Sequence, residues 1–141
     1  MTMASSSTAA ESEAAGPGAP MMHIGQLAER SDMSLRTIRH YDETGLLRPS
    51  GRTEGGFRLY TERDLERLLV IRRMKPLGYT LEEMGEVLTI VDALGATTDP
   101  ARAAGLRADL LRFADSAKER RARLERNLEW ADEYIELLES L

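Results

Sequence analysis

Residues 24–60 read IGQLAERSDMSLRTIRHYDETGLLRPSGRTEGGFRLY. Ile24, Leu27 and Ala28 recur at helical spacing, and Ser31-Asp32-Met33-Ser34 breaks that run with residues that favour caps and turns over helix interiors. Ser34 is placed to N-cap a second helix. Advancing about 100° per residue from Arg36, the side chains of Thr37, Arg39, His40 and Glu43 point broadly one way, and Leu35, Ile38 and Tyr41 point the other. One face packs and the other is polar.

A charged helix face is as readily a solvated one, so the next segment decides between the two readings. The chain turns at Pro49 and again at Glu54-Gly55-Gly56, then runs Phe57-Arg58-Leu59-Tyr60. Two glycines suit a turn that needs positive φ. Strand alternation sends neighbouring side chains to opposite faces, and the expectation is Phe57 and Leu59 inward, Arg58 and Tyr60 outward. A helix pair followed at once by a basic ribbon is a winged helix-turn-helix pattern, with a helix for the major groove and a wing for the adjoining phosphates of duplex DNA.

The run TIRHYDETGLLRPSGRTEGGFRLYTERDLERLLVIRRMKPLGYTLEEM, Thr37 to Met84, resembles the MerR family of transcriptional regulators. The resemblance runs from about His23 to Leu88, with several separated elements agreeing in order and spacing, and its general shape continues to Leu141. Carried over by position, it places Arg36, Thr37, Arg39, His40 and Tyr41 on or beside a DNA-reading helix and Arg58 and Tyr60 in the wing. Arg36, Arg39 and His40 are expected to read or approach bases, and Ser34, Tyr41, Arg58 and Tyr60 to grip phosphates. Three departures stand out. His40 occupies a position where tyrosine is frequent. Asp32 takes a corner often held by glycine, which aspartate tolerates through its access to the left-handed region. Pro76 should end or kink the preceding helix close to Lys75.

Residues 1–20 are mostly alanine, serine, glycine and proline, too poor in apolar surface to offset the entropy of ordering, and are expected to be a disordered tail. They lack the cationic flank and apolar core of a secretion signal, and no run elsewhere is apolar enough to span a bilayer. Met21 and Met22 would also serve as a start. The 141 residues bound one modest domain with an extension, and the absence of cysteine excludes disulfides and thiolate metal sites, including the cysteine-based sensing that the resemblance would otherwise suggest. No metal or cofactor is expected.

The net charge of −5 argues against nucleic acid until its distribution is considered. Residues 21–78 carry eleven Lys or Arg against eight Asp or Glu, whereas residues 79–141 carry eight against fourteen. The basic excess lies with the groove-reading segment, and the acidic part is kept off DNA.

Thr61 with Asp64 and Thr80 with Glu83 fit the capping pattern that satisfies free N–H groups at a helix start. Leu65, Leu68, Leu69 and Ile71 make the first of these an apolar packing helix; Leu81, Met84, Val87, Leu88 and Val91 do the same for the second. The pair is expected to form a platform for the DNA-reading unit. Arg72, Arg73 and Lys75 either touch phosphate or complement the helix dipole. Residues 93–98, with Gly95, are expected to be a linker, and Asp99-Pro100 a cap and first-turn pair.

Beyond it, Ala103, Leu106, Leu110, Phe113, Ala117, Leu124, Leu128, Ala131, Ile135 and Leu138 recur every three or four residues. A helix of this extent would reach about 60 Å, longer than a small domain covers alone, so its stripe needs a partner. A second copy is the simplest partner, and the resemblance implies the same through residues 99–141, with the helices antiparallel. Arg120 interrupts the stripe and is expected to pair with Glu125 or with acids of a partner.

The expected fold is mainly α: a winged helix-turn-helix over 21–92 with a small β-ribbon, a second helix pair and a long C-terminal coiled-coil helix. The resemblance implies a cytoplasmic homodimer on a pseudo-palindromic promoter site, altering DNA shape, with RNA polymerase engaged indirectly through the shared promoter. Tyr79, Phe113, Trp130 and Tyr134 could line an apolar pocket, but aromatics at such spacings are more commonly core or dimer contacts. An architectural DNA protein of the recombination-directionality type shares a small winged fold, although the capped second helix pair and long helix speak against it. An enzyme is disfavoured by two histidines, no cysteine and no phosphate-cradling glycine loop.

Overall fold

The computed structural model describes residues 20–141, so the expected tail, apart from Pro20, lies outside the described residues. The elements in chain order are β1 (Met22–His23), α1 (Ile24–Ser31), α2 (Leu35–Glu43), β2 (Gly51–Arg52), β3 (Arg58–Tyr60), α3 (Glu62–Met74), a 3-10 turn (Lys75–Leu77), α4 (Leu81–Ala96) and α5 (Pro100–Ser140). The chain divides into two compact units, with the boundary between Arg72 and Arg73 inside α3.

In the first unit, α1 and α2 meet at a corner where Asp32 adopts the left-handed region, φ 57° and ψ 38°. Its carboxylate chemistry suits that region better than most side chains, so the glycine common at such corners is not required. Ser34 then caps α2: its Oγ accepts the Thr37 N–H at 3.1 Å and donates to Thr37 Oγ1 at 2.8 Å. Leu27, Ile38, Leu47, Leu68 and Ile71 are fully buried and form the core between the helices, each contributing about 1.5–3 kcal/mol by leaving water.

The sheet has three strands in the order β1-β3-β2, all antiparallel, with Met22 opposite Tyr60 and Arg52 opposite Arg58. The strand β1 was not legible beforehand, because two residues are too few to show alternation. Between β2 and β3 the wing tip turns through Gly56 at φ 84°, with Gly56 N–H donating to Thr53 O at 2.9 Å. A side chain at that φ would be strained, which explains the glycine.

The ribbon has the opposite phase to the expected one. Tyr60 is 0% exposed and Phe57 is 69% exposed. Central strand β3 is flanked on both sides, and Tyr60, not Phe57, falls on the side that meets the helices.

In the second unit α4 packs along α5, and α3 ends at Met74, where the 3-10 turn carrying Pro76 takes over. Proline removes the N–H that would continue the α-helical ladder, as expected of it. Thr80 and Glu83 form a reciprocal capping box, with Thr80 N–H donating to Glu83 Oε1 at 2.9 Å and Glu83 N–H to Thr80 Oγ1 at 3.1 Å. The α4 helix runs through Gly95 to Ala96, so the expected linker over 93–98 shrinks to Thr97 and Thr98 before Asp99. A glycine costs a helix interior only about 1 kcal/mol, and α4 tolerates Gly95. Asp99 Oδ1 accepts Ala101 N–H at 3.0 Å and Pro100 fills the first helical position, after which α5 continues for 41 residues.

Arg120 does not wait for a partner's acid. Its guanidinium donates to Glu83 Oε2 at 2.8 Å and lies 4.4 Å from the centroid of the Tyr79 ring, while Arg121 takes Glu125 at 2.9 Å. Thr80's N–H and Arg120 together hold the Glu83 carboxyl below its usual range. The four aromatics do not assemble into a pocket. Tyr79 and Phe113 have ring centroids 6.2 Å apart, but Trp130 and Tyr134 are exposed.

Candidate nucleic-acid interface

In the first unit, helix α2 and the ribbon are tied together through Asp42, which takes Arg52 and Arg58. Because Ile38 and Tyr41, three residues apart, share the face that meets the core, residues one or two positions from them turn out: Arg36, Arg39 and His40 are exposed, as is the N-cap Ser34, and Thr37 is half-buried. Thr37 is partly occupied in the cap with Ser34. The sequence expectation for these five positions and the structure agree on their placement.

Tyr60 does not face outward as expected, whereas Tyr41 lies where the helix phase put it. Tyr41 is buried on the packing side of α2, and burial pushes its hydroxyl pKa up. Tyr60 is buried in β3 and its pKa is also raised, first by burial and then by the nearby Asp42 carboxylate. Both rings pack in the core, so neither presents a ring face at the surface. Phe57 takes the surface place at the wing tip instead, its ring edge over Gly55, where a Cβ would come within 3.2 Å of it.

Arg58 is half-buried and engaged. Its Nε donates to Asp42 Oδ2 at 2.7 Å, which raises the guanidinium pKa above its ordinary value. Arg52, its cross-strand neighbour, donates to the same oxygen at 3.3 Å and to Gly56 O at 3.0 Å. Asp42 is 6% exposed. Sequence reading missed both Asp42 and Arg52, because their pairing spans the turn between α2 and the ribbon. The only available signal was an acid on the inward side of an otherwise apolar helix face.

Two further cross-ties hold the helix pair. Arg30 of α1 makes a two-pronged ion pair with Glu62 of α3, and that bond raises the Arg30 pKa. Arg72 Nη1 donates to Ser31 O at 2.7 Å, so this member of the expected basic cluster satisfies the carboxyl end of α1.

In the second unit a cavity of about 400 Å³ is lined by Glu86, Ile90, Asp109, Arg112, Phe113 and Ser116. Among the described residues no group of three His, Cys, Asp or Glu side chains is arranged to hold a metal ion, and no helix is long and apolar enough to cross a membrane.

A capped helix pair, a three-stranded wing and a basic outward helix face define a winged helix-turn-helix DNA-binding domain. Residues 22–89 match the family of MerR HTH regulatory proteins. The domain that those residues form is a MerR-family one. The HTH-type transcriptional regulator ZntR of Escherichia coli (strain K12) is 47% identical over 70 residues, which cover 50% of this chain and 50% of that protein. The mercuric resistance operon regulatory protein of Bacillus cereus is 42% identical over 69 residues, 49% of this chain and 52% of that protein. The chain thus spans about half the length of the curated relatives it matches. In three dimensions, the crystal structure of a MerR family transcriptional regulator from Bacillus cereus superposes with a TM-score of 0.64 at 27% identity, covering 86% of this chain and 79% of that one.

Proposed function

We propose that the chain is a sequence-specific transcriptional regulator that binds a pseudo-palindromic promoter site as a homodimer and alters the shape of the duplex between its half-sites. The observation that carries the reading is that α2, with Arg36, Arg39 and His40 exposed, is tied through its Asp42 to the wing arginines Arg52 and Arg58. Helix side chains at those positions reach base edges in a major groove, and the wing follows the phosphates. Ser34 and the wing arginines are the phosphate contacts, with Phe57 at the ribbon's tip against the sugars.

Pairing through α5 is supported by its surface. Leu128, Ile135 and Leu138 are each more than half exposed, an apolar display that a solitary helix would not keep in water. Its charges are segregated as well. All eight basic residues of α5 lie between Arg102 and Arg126, whereas Glu129, Asp132, Glu133, Glu136 and Glu139 follow without a base. Antiparallel pairing sets acid against base, and parallel pairing sets acid against acid. Two reading heads on one rod match a two-fold site, and bending such a site costs about 1–6 kcal/mol, which phosphate contacts would supply. RNA polymerase is engaged through the shared promoter, in the cytoplasm, and the chain performs no chemistry.

Footprinting on genomic fragments, followed by sedimentation of the purified chain and reporter transcription from the protected promoter, tests this. The expected results are a symmetric protected site, a dimer, and reporter output that changes with the protein. A monomer with no preference among fragments at moderate salt removes the reading, and protection without any change in transcription replaces it with an architectural role.

A further inference from the structure

Arg52 and Arg58 stand directly opposite each other on antiparallel strands, an arrangement in which like charges repel. What permits it is one carboxylate oxygen from another element: Asp42 Oδ2 accepts from Arg58 at 2.7 Å and from Arg52 at 3.3 Å. Asp42 lies on α2 only two residues beyond His40 and three beyond Arg39, so the group that holds the wing belongs to the helix that presents the reading face. Arg52 also closes the wing tip through Gly56 O, which extends the tie from the helix to the end of the ribbon.

We propose that Asp42 is a positioning residue for sequence discrimination: it fixes the wing to the recognition helix and withholds one of two wing charges from the phosphates. The inference rests on the DNA-binding reading above. With Asp42 in place the arginine pair offers the duplex one net positive charge from a fixed position. With its charge removed the two guanidiniums repel, splay, and reach phosphates independently of where α2 sits. The wing would then add affinity for any duplex and none for a particular one.

The test uses the full chain, wild type and variants, titrated with the footprinted promoter duplex and with a scrambled duplex over a series of salt concentrations. In Asp42→Asn the scrambled duplex should bind more tightly and with a salt slope steeper by about one unit, the signature of one more phosphate neutralised. The preference for the promoter duplex should fall about tenfold, comparable to losing one good base contact. Asp42→Glu, which keeps the charge, should recover most of the preference. Arg52→Gln leaves Asp42 paired with Arg58, so it should keep the preference while lowering the slope by about one unit; it also serves if Asp42→Asn does not fold. A folded Asp42→Asn protein with wild-type slope and preference, or an Arg52→Gln protein with an unchanged slope, overturns the inference alone. A wild-type protein without preference for any duplex takes down the DNA-binding reading along with it.

Discussion

Replacing Tyr60 by phenylalanine separates a core role from a DNA-contacting one. The ring is 0% exposed, and among the described residues its hydroxyl is buried without a hydrogen-bond partner. A buried hydroxyl left unpaired costs about 1–3 kcal/mol relative to water. Removing the oxygen relieves that cost and gives back a few dispersion contacts, so Tyr60→Phe should stabilise the fold by about 1 kcal/mol. For a domain of this size that corresponds to a rise of about 3–6 °C in Tm. Affinity for promoter DNA should not change. A pH series adds a second reading. Burial raises the folded pKa of Tyr60, so the neutral ring contributes stability that is present below the unfolded value of about 10 and is lost as pH climbs toward the folded value. Tyr41 behaves the same way, and Tyr60→Phe should therefore lessen the alkaline loss without abolishing it. Urea melts at neutral pH and at pH values above about 10, beside DNA titrations, make the measurement. A destabilised Tyr60→Phe protein, or one whose affinity drops for every duplex, would refute the reasoning, the second result by showing that the hydroxyl reaches phosphate.

Arg120→Ala should cost about 1–3 kcal/mol and speed hydrogen exchange in α4, since the guanidinium both pairs with Glu83 and covers the Tyr79 ring; unchanged exchange would discount that tie. Ile135→Asp, on an exposed apolar position near the acidic end of α5, should shift sedimentation from dimer to monomer while leaving the helicity of the first unit intact, and a persistent dimer would move the interface elsewhere. Ser34→Ala should lower stability by about 1 kcal/mol through loss of the α2 cap, readable in denaturant melts.

What was legible beforehand was what local chemistry decides. Ser34, Thr80 with Glu83, and Asp99 with Pro100 each announce a helix start within four residues, Asp32 suits a left-handed corner, and Pro76 stops a helix by lacking a donor. The phase of the ribbon was not legible. Alternation says that Phe57 and Tyr60 lie on opposite faces but not which face meets the core, and the deciding contact comes from helices brought in by the fold. The same holds for Asp42, whose partners are 10 and 16 residues away, and for Arg120, whose partner Glu83 is 37 residues back. A charge near other charges in sequence, such as Glu125 near Arg120, is an unreliable guide when a helix face turns toward another element.

Strand β1 has a consequence for how the chain is made. Met22 pairs with Tyr60, so the helix hairpin is bracketed between the two strands of one small ladder. On a ribosome, α1 and α2 emerge well before β3, and until Tyr60 clears the exit tunnel the hairpin lacks the ring that covers its inner side. Synthesis therefore delivers the reading helix first and its anchor later, and the head cannot close around its core while the nascent chain is shorter than that span.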